Sequence, residues 1–170
     1  MDIKLERVEY EDKEILRNLL EKYNYEFSQY DTSDVDKLGM YGYMYLDYYW
    51  TEAERRTAYF IKVDDMLAGF VMVNDYSEAY DRETDYAVAE FFVMYKYRRN
   101  NVGKNTFFML MDMYKGKNWQ LKMHPHNTVS VLFWEKVVSE YTGGKYELVR
   151  DYPESEYDDG TRGDIFFYES

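Results

Sequence analysis

The apolar residues of this chain change period as the sequence proceeds, and that change restricts the fold more than any other feature. Ile3, Leu5 and Val8 alternate with charged neighbours as a short opening strand would, whereas Ile15, Leu16, Leu19, Leu20 and Tyr23 recur at helical spacing. The spacing predicts a helix from about Asp12 that fades near Phe27. Tyr59, Ile61 and Val63 alternate again, Asp64 and Asp65 turn the chain, and Ala68 to Val73 return, which predicts a hairpin. After a polar loop from Asn74 to Asp85, residues Tyr86 to Tyr95 are rich in β-formers. Thr106 to Tyr114 and Val129 to Val138 read as helices, with a strand from Trp119 to Met123 between them. Tyr146 to Val149 and Ile165 to Tyr168 form a last strand pair around an acidic loop. Residues 31–56 follow neither period, and only Thr51 to Arg55 is expected to cap and begin a short helix there. Strands with interspersed helices make an α/β (α+β) sheet protein, and 170 residues fit a single domain, residues 1–170.

Composition then removes several classes of function. With no cysteine there are no disulfides, no cysteine nucleophile and no thiolate metal site, a composition that suits a reducing cytoplasm. The longest stretch free of formal charge, Met123 to Trp134, is far short of the roughly 20 apolar residues that span a bilayer. No membrane segment is expected, and the charged first residues are unlike a signal peptide. Thirty-three acidic residues against 21 basic ones give a net charge of −12, which disfavours nucleic acid as a partner. The charge is uneven: residues 1–36 carry −6, while Lys96 to Lys122 carry +6. The chain reads as one that meets an anion locally and a cation elsewhere.

The basic island begins where the Tyr86–Tyr95 strand passes through Lys96, Arg98, Arg99 and Lys104 into a helix. Gly103-Lys104 is not a P-loop, because Arg98 stands where that motif needs Gly and Asn105 where it needs Ser or Thr. No dinucleotide fingerprint occurs either. Two readings stay open: a solvated basic loop, or a pyrophosphate-sized site at a helix N-terminus whose amides are unpaired. The uncharged, Gly-bearing start of the helix favours the second.

These residues carry a resemblance. Phe92-Val93 followed by Arg98, Asn101 and Gly103 resembles the acyl-CoA-binding segment of the GNAT superfamily of N-acetyltransferases, with Asn101 where the first Gly is usual. Asn tolerates positive φ, so the loop survives the exchange. Asn127, Ser130 and Trp134 resemble a later family segment, in which an Asn is followed at +3 by a small residue and at +7 by an aromatic. The resemblance implies a GNAT-like mixed central sheet flanked by helices and acetyl-CoA as co-substrate, without a metal. It also implies a cofactor site in three parts: backbone at Phe92 and Val93 for the pantetheine arm, the amides of Arg98, Arg99, Asn100, Asn101, Val102, Gly103 and Lys104 for the pyrophosphate, and Asn127, Phe133 and Lys136 on the far side.

The implied reaction is attack of a neutral amine on a thioester carbonyl, which requires a base, an oxyanion site and a proton for the thiolate. Glu90, in an otherwise apolar strand, is the general-base candidate, although strict alternation would instead send it to solvent. Trp134 occupies the position at which many family members place a Tyr that protonates the thiolate, so Tyr141 or water is left for that role. Tyr43, Tyr45 and Asp47, inside a run of aromatics, are candidates for binding a cationic acceptor; packing is the competing reading. His124 and His126 alone are too sparse for a metal. The function expected is acetyl transfer to a primary amine of a small, cationic acceptor in a ternary complex, with a homodimer admissible. The alternative is a non-catalytic acyl-CoA-binding or sensing module.

Overall fold

The computed structural model describes residues 1–79 and 81–170. Its strands are β1 (Ile3–Arg7), β2 (Arg56–Val63), β3 (Met66–Asn74), β4 (Tyr86–Val93), β5 (Asn118–Met123), β6 (Tyr146–Val149) and β7 (Asp164–Glu169). Its helices are α1 (Lys13–Asp31), α2 (Tyr48–Thr51), α3 (Val102–Met113) and α4 (Thr128–Thr142). One mixed sheet contains all seven strands in the order β1-β2-β3-β4-β5-β7-β6. Every pairing is antiparallel except β4 with β5, which are parallel.

Two apolar clusters sit on opposite faces of this sheet. On one, Val71, Val73, Val88, Trp119 and Leu121 pack against Phe107, Leu110 and Met111 of α3 and Trp134, Val137 and Val138 of α4. On the other, Phe60, Phe70, Met72 and Phe92 pack against Leu16, Leu19 and Leu20 of α1 with Leu46 and Tyr49. Strands buried on both faces lose strict alternation, and β3 is accordingly buried at six consecutive positions.

The expected element order is present, with shifted boundaries. Helix α1 runs on to Asp31 and stops where Thr32 adopts the left-handed conformation, φ 59°. The short helix expected to begin at Thr51 ends there, and Glu52 is used to hold Arg56 at 3.0 Å. Helix α3 starts at Val102, four residues before Thr106, because Val102 is a buried anchor for its first turn. Among the described residues from Asp75 to Asp85 there is no helix or strand; Tyr80, within that expected loop, lies outside the described residues. Strand β7 lies between β5 and β6 and pairs with both.

Two irregularities shape the centre. Strand β4 pairs with β5 only through Tyr86, Ala87 and Val88, opposite Trp119, Gln120 and Leu121, and the two strands part beyond that point. In the β3–β4 ladder Met72 faces Glu90 and Val73 faces Val88, so Ala89 is an extra residue and β4 bulges there. The bulge reverses the alternation. Val88 and Phe91 face α3 and α4, whereas Ala89, Glu90 and Phe92 face α1.

Near the end of β4 the two strands approach closely at Gly69. A Cβ there would lie 2.0 Å from the carbonyl oxygen of Phe92, a rigid backbone atom. Gly69→Ala is therefore expected to lower stability by about 2 kcal/mol or more, as overpacking against backbone does, read as a lower melting temperature and urea midpoint.

Candidate active site

The parting of β4 and β5 opens a gap in the sheet whose edges are backbone. Past Val88 the β4 groups directed toward β5 have no strand partner; apart from the Val93 carbonyl, which Arg98 holds, they are available to an extended ligand. At the end of the gap the chain turns through Tyr95–Tyr97 and a loop in which Arg99 and Asn101 both have positive φ, 62° and 59°. Asn101 thus adopts the conformation its side chain tolerates, and Arg99 a strained one. Asn101 is the N-cap of α3, and no side chain bonds the first amides of that helix. The contrast with α4 is direct: Asn127 caps it through Oδ1, accepting from the Ser130 amide at 3.0 Å. One helix start is closed by its own side chain; the other keeps its amides and dipole open to an anion.

Behind that open turn Gly103 lies under the Phe133 ring, where a Cβ would come within 3.1 Å of Cζ. Phe133 in turn packs on Phe91 and Trp134. Trp134 is buried against Phe91 and Phe107, filling with carbon the space beneath β4.

On the α1 side of the gap the bulge delivers Glu90. Its carboxylate accepts from the Tyr43 hydroxyl at 3.2 Å, and the Tyr23 hydroxyl faces it from α1. Burial raises the Glu90 carboxyl from the ordinary 4.5 to about 7, although both tyrosine hydroxyls and the Lys122 ammonium on β5 pull it down. Tyr23, Tyr43 and Tyr157 around it are pushed above the usual phenol range by burial, and the Glu90 charge adds to each. These phenols therefore stay protonated and serve as donors. The arrangement is a carboxylate that changes protonation near neutrality, in a tyrosine-lined recess beside an open strand edge.

Lys122 and Tyr157 are held by the loop between β6 and β7. The Lys122 ammonium lies 4.4 Å from the Tyr157 ring centre and 3.3 Å from Glu78, and its stem fills the place of a side chain at Gly163. Tyr157 also packs on His124, ring centres 4.6 Å apart. His124, only 1% exposed, bonds Asp159 through Nε2 at 3.1 Å. Asp159 thus supplies a third donor beside His124 and His126 that the sequence did not foretell; the three groups' ligand atoms lie within 4.8 Å of one another. The His126 amide donates to His124 Nδ1, however, which puts the ring proton on Nε2 and points it at Asp159. A metal-binding histidine has the opposite arrangement, with its other ring nitrogen donating.

Several expected site residues lie elsewhere. Asp47 is exposed and paired with Lys13, whose hydrogen bond holds its carboxyl below the usual range. Tyr45 stacks on Tyr43, and with Tyr48, Tyr49 and Tyr76 it surrounds the guanidinium of Arg56, itself 7% exposed. The aromatic run therefore cages a cation of the chain's own, and only Tyr43 of the three expected acceptor residues reaches Glu90. Tyr141 donates to Asp112 at 3.0 Å on the outer side of α3 and α4, pushed up to about 12 by burial and that partner, and is not brought to the gap. Arg98 is turned away from the α3 amides: its Nε bonds the Val93 carbonyl at 2.7 Å and its fork binds Glu26 at 2.6 and 2.7 Å. Asn100 bonds the Arg98 carbonyl, Lys104 pairs with Glu140 at 2.8 Å, and Lys136 is exposed. The side chain of Phe92 belongs to the α1 cluster.

The family model described as acetyltransferase (GNAT) family matches residues 14–138. No curated protein matches significantly. An acetyltransferase from Thermus thermophilus superposes with TM-score 0.69 at 11% identity, covering 100% of this chain and 98% of its own. PaiA N-acetyltransferase from Thermoplasma acidophilum, in complex with coenzyme A, gives 0.62 at 13% identity over 100% of both chains. A chimera of the spermidine N-acetyltransferase SpeG from Vibrio cholerae and hSSAT gives 0.65 at 11% identity, over 99% of this chain and 96% of its own. Among the described residues no helix is long and apolar enough to cross a membrane.

The Glu90 environment makes a stability prediction. A carboxyl whose pKa rises on folding leaves stability intact below its unfolded value of about 4.5 and removes it progressively as pH rises through about 7. Glu90→Gln abolishes that loss while keeping an acceptor for the tyrosines. Its melting temperature should exceed that of the native chain at pH 8, and the difference should vanish near pH 4.

Proposed function

Because the chain belongs to the GNAT acetyltransferase family, we propose that it transfers an acetyl group from acetyl-CoA to the primary amine of a small, cationic acceptor by direct attack in a ternary complex. The observation that carries this reading is Glu90: a carboxylate titrating near neutrality beside an open strand edge is suited to take a proton from an ammonium. The uncapped start of α3 suits the pyrophosphate of the co-substrate, and the unpaired β4 backbone suits its pantetheine amides.

In this mechanism the acceptor arrives as an ammonium, drawn by a net charge of −12 and by the tyrosine faces of the recess. Glu90 takes one proton, directly or through one water, and passes it to solvent. The neutral nitrogen forms a C–N bond to the thioester carbonyl carbon, and the C=O π pair moves onto oxygen. Amide N–H groups of β4 facing the gap are the donors available to that oxyanion. Its collapse re-forms C=O and breaks C–S, and the thiolate takes the surplus proton left on nitrogen, through water. Tyr141 has no part in this, since its hydroxyl is held by Asp112 away from the gap. The spermidine N-acetyltransferase of the SpeG chimera acts on an acceptor of the proposed kind, a small polycation.

Thiol release from acetyl-CoA across a panel of amines tests the proposal. Polyamines and other cationic amines should outperform acidic amino acids, and the preference should shrink as salt screens the acidic surface over about 8 Å at physiological ionic strength. A preference for acidic acceptors would overturn the electrostatic part. A chain that gains thermal stability with acetyl-CoA but releases no thiol with any amine would be the non-catalytic binding module instead.

Glu90→Gln should lower kcat by about 10²-fold or more, with acetyl-CoA affinity nearly intact. The acidic limb of the pH–rate profile, expected near pH 7, should disappear with it. A fully active variant with an unchanged profile would remove Glu90 from the chemistry and leave proximity as the main source of rate.

A further inference from the structure

The basic loop and helix α1 are joined by one contact that neither the fold nor the chemistry above requires. Arg98 closes it in three directions. Its Nε donates to the Val93 carbonyl at 2.7 Å, and its two terminal nitrogens grip Glu26 at 2.6 and 2.7 Å. Its guanidinium also lies 5.6 and 5.9 Å from the ring centres of Phe92 and Tyr95. Planar, bidentate pairing of this kind fixes direction as well as distance.

What this grip fixes is the segment from Met94 to Asn101. Its ends are tied by Met94 N–H to Ala68 O and Asn105 N–H to Asn101 O and its turn by Tyr97 N–H to Met94 O and Arg98 N–H to Tyr95 O, but among the described residues no backbone bond holds the amides of Arg99 to Asn101, and Arg99 is held at φ 62°. Strained backbone persists only where its surroundings over-determine it. The α3 helix itself is anchored independently, through buried Val102 and Phe107. The amides of Arg99, Asn100 and Asn101 are the ones whose aim depends on Arg98, and Arg98 depends on Glu26.

We propose that Glu26 is a positioning residue for the co-substrate: through Arg98 it holds the loop amides in the orientation that receives the pyrophosphate, so that Arg98 acts as a brace and not as a phosphate ligand. This rests on the acetyl-CoA reading above. Helix α1 then serves both halves of the reaction. Tyr23 on one turn faces the base Glu90, and Glu26 three residues on lies on the same face and steadies the cofactor loop. Glu26 also lines a groove of about 570 Å³ with Lys22, Tyr25, Phe92, Met94 and Tyr95, so an acceptor-side role for it must be separable by experiment.

The test is calorimetric titration of the full chain with CoA, together with steady-state kinetics, for the native protein, Glu26→Gln, Arg98→Gln and the double variant, with melting curves for each. Glu26→Gln should weaken CoA by about tenfold and raise KM for acetyl-CoA by the same factor, the size expected for losing a charge-assisted pair. Acceptor KM and kcat should stay within about twofold. The double variant should be no weaker than the poorer single one, because the two side chains act as a unit. Tighter CoA binding in Glu26→Gln would mean that the released Arg98 turns to the phosphates, and would overturn the brace. An unchanged affinity, or a change confined to acceptor KM, would overturn it too. A native chain that binds no CoA would overturn the acetyl-CoA reading and this inference with it, an outcome distinct from native binding that Glu26→Gln leaves untouched.

Discussion

The molecule depends on one interrupted ladder. Strand β4 joins β5 through three residues and then leaves it, in a sheet whose other neighbours pair antiparallel. Continued pairing would satisfy every backbone group there and leave no place for a ligand; the interruption exposes them along one edge. An exposed edge is a liability in a free strand. Here the edge lies inside the sheet, flanked by β3 and β5 and covered by helices on both faces, so it can be reached by a narrow extended molecule and not by another strand. The loop after β4 and the open turn of α3 continue the same edge, which is why the groups suited to an acyl carrier and to its phosphates fall on one line.

The second constraint is the extra residue at Ala89. Without it Glu90 would share a face with Val88 and enter the core beside α3 and α4, away from Tyr23 and Tyr43. With it, Glu90 turns to α1 and meets Tyr23, Tyr43 and, more distantly, Lys122. Those groups set a balance between burial, which favours the neutral acid, and two phenols and an ammonium, which favour the carboxylate. Burial wins by enough to place the group near neutrality, the useful range for moving protons at physiological pH. The same balance costs stability above pH 7, the usual relation between a strained functional group and its fold.

How far the sequence revealed this varies with the range of the interaction. Local periods identified β2, β3, β4 and both α3 and α4, because apolar spacing is written into neighbouring residues. The loop at Arg98 to Gly103 and the carboxylate at Glu90 drew attention on a different ground, a local motif and an acid inside an apolar strand. The partners were not. Tyr23 reads as one more apolar position of α1, and Tyr157 as part of an acidic loop, since nothing within several residues of either points to Glu90. The bulge was invisible because it is a property of the β3–β4 register, not of β4. Asp47 and Tyr45 had the right composition for a cation site, but Lys13 and Arg56 claim them from elsewhere in the chain. Arg98 matched its motif by position while its side chain went to Glu26, a partner 72 residues away.

That last point changes what the basic island does. Read as charge alone, residues 96–122 offer an excess of cations to an anionic ligand. In the fold Arg98 is neutralised by Glu26, Lys104 by Glu140 and Lys122 by Glu78. Three of the seven cations of the island are thus spent on internal acids, and their long stems and planar head are used to fix geometry. Beside Lys96 and Arg99, which pair with no acid among the described residues, what the loop offers an anion is backbone: the unpaired amides of α3 and its dipole. Amides aimed by a rigid support lose little on binding and need no nearby excess of charge. This reconciles an anion site with a chain that carries a net charge of −12.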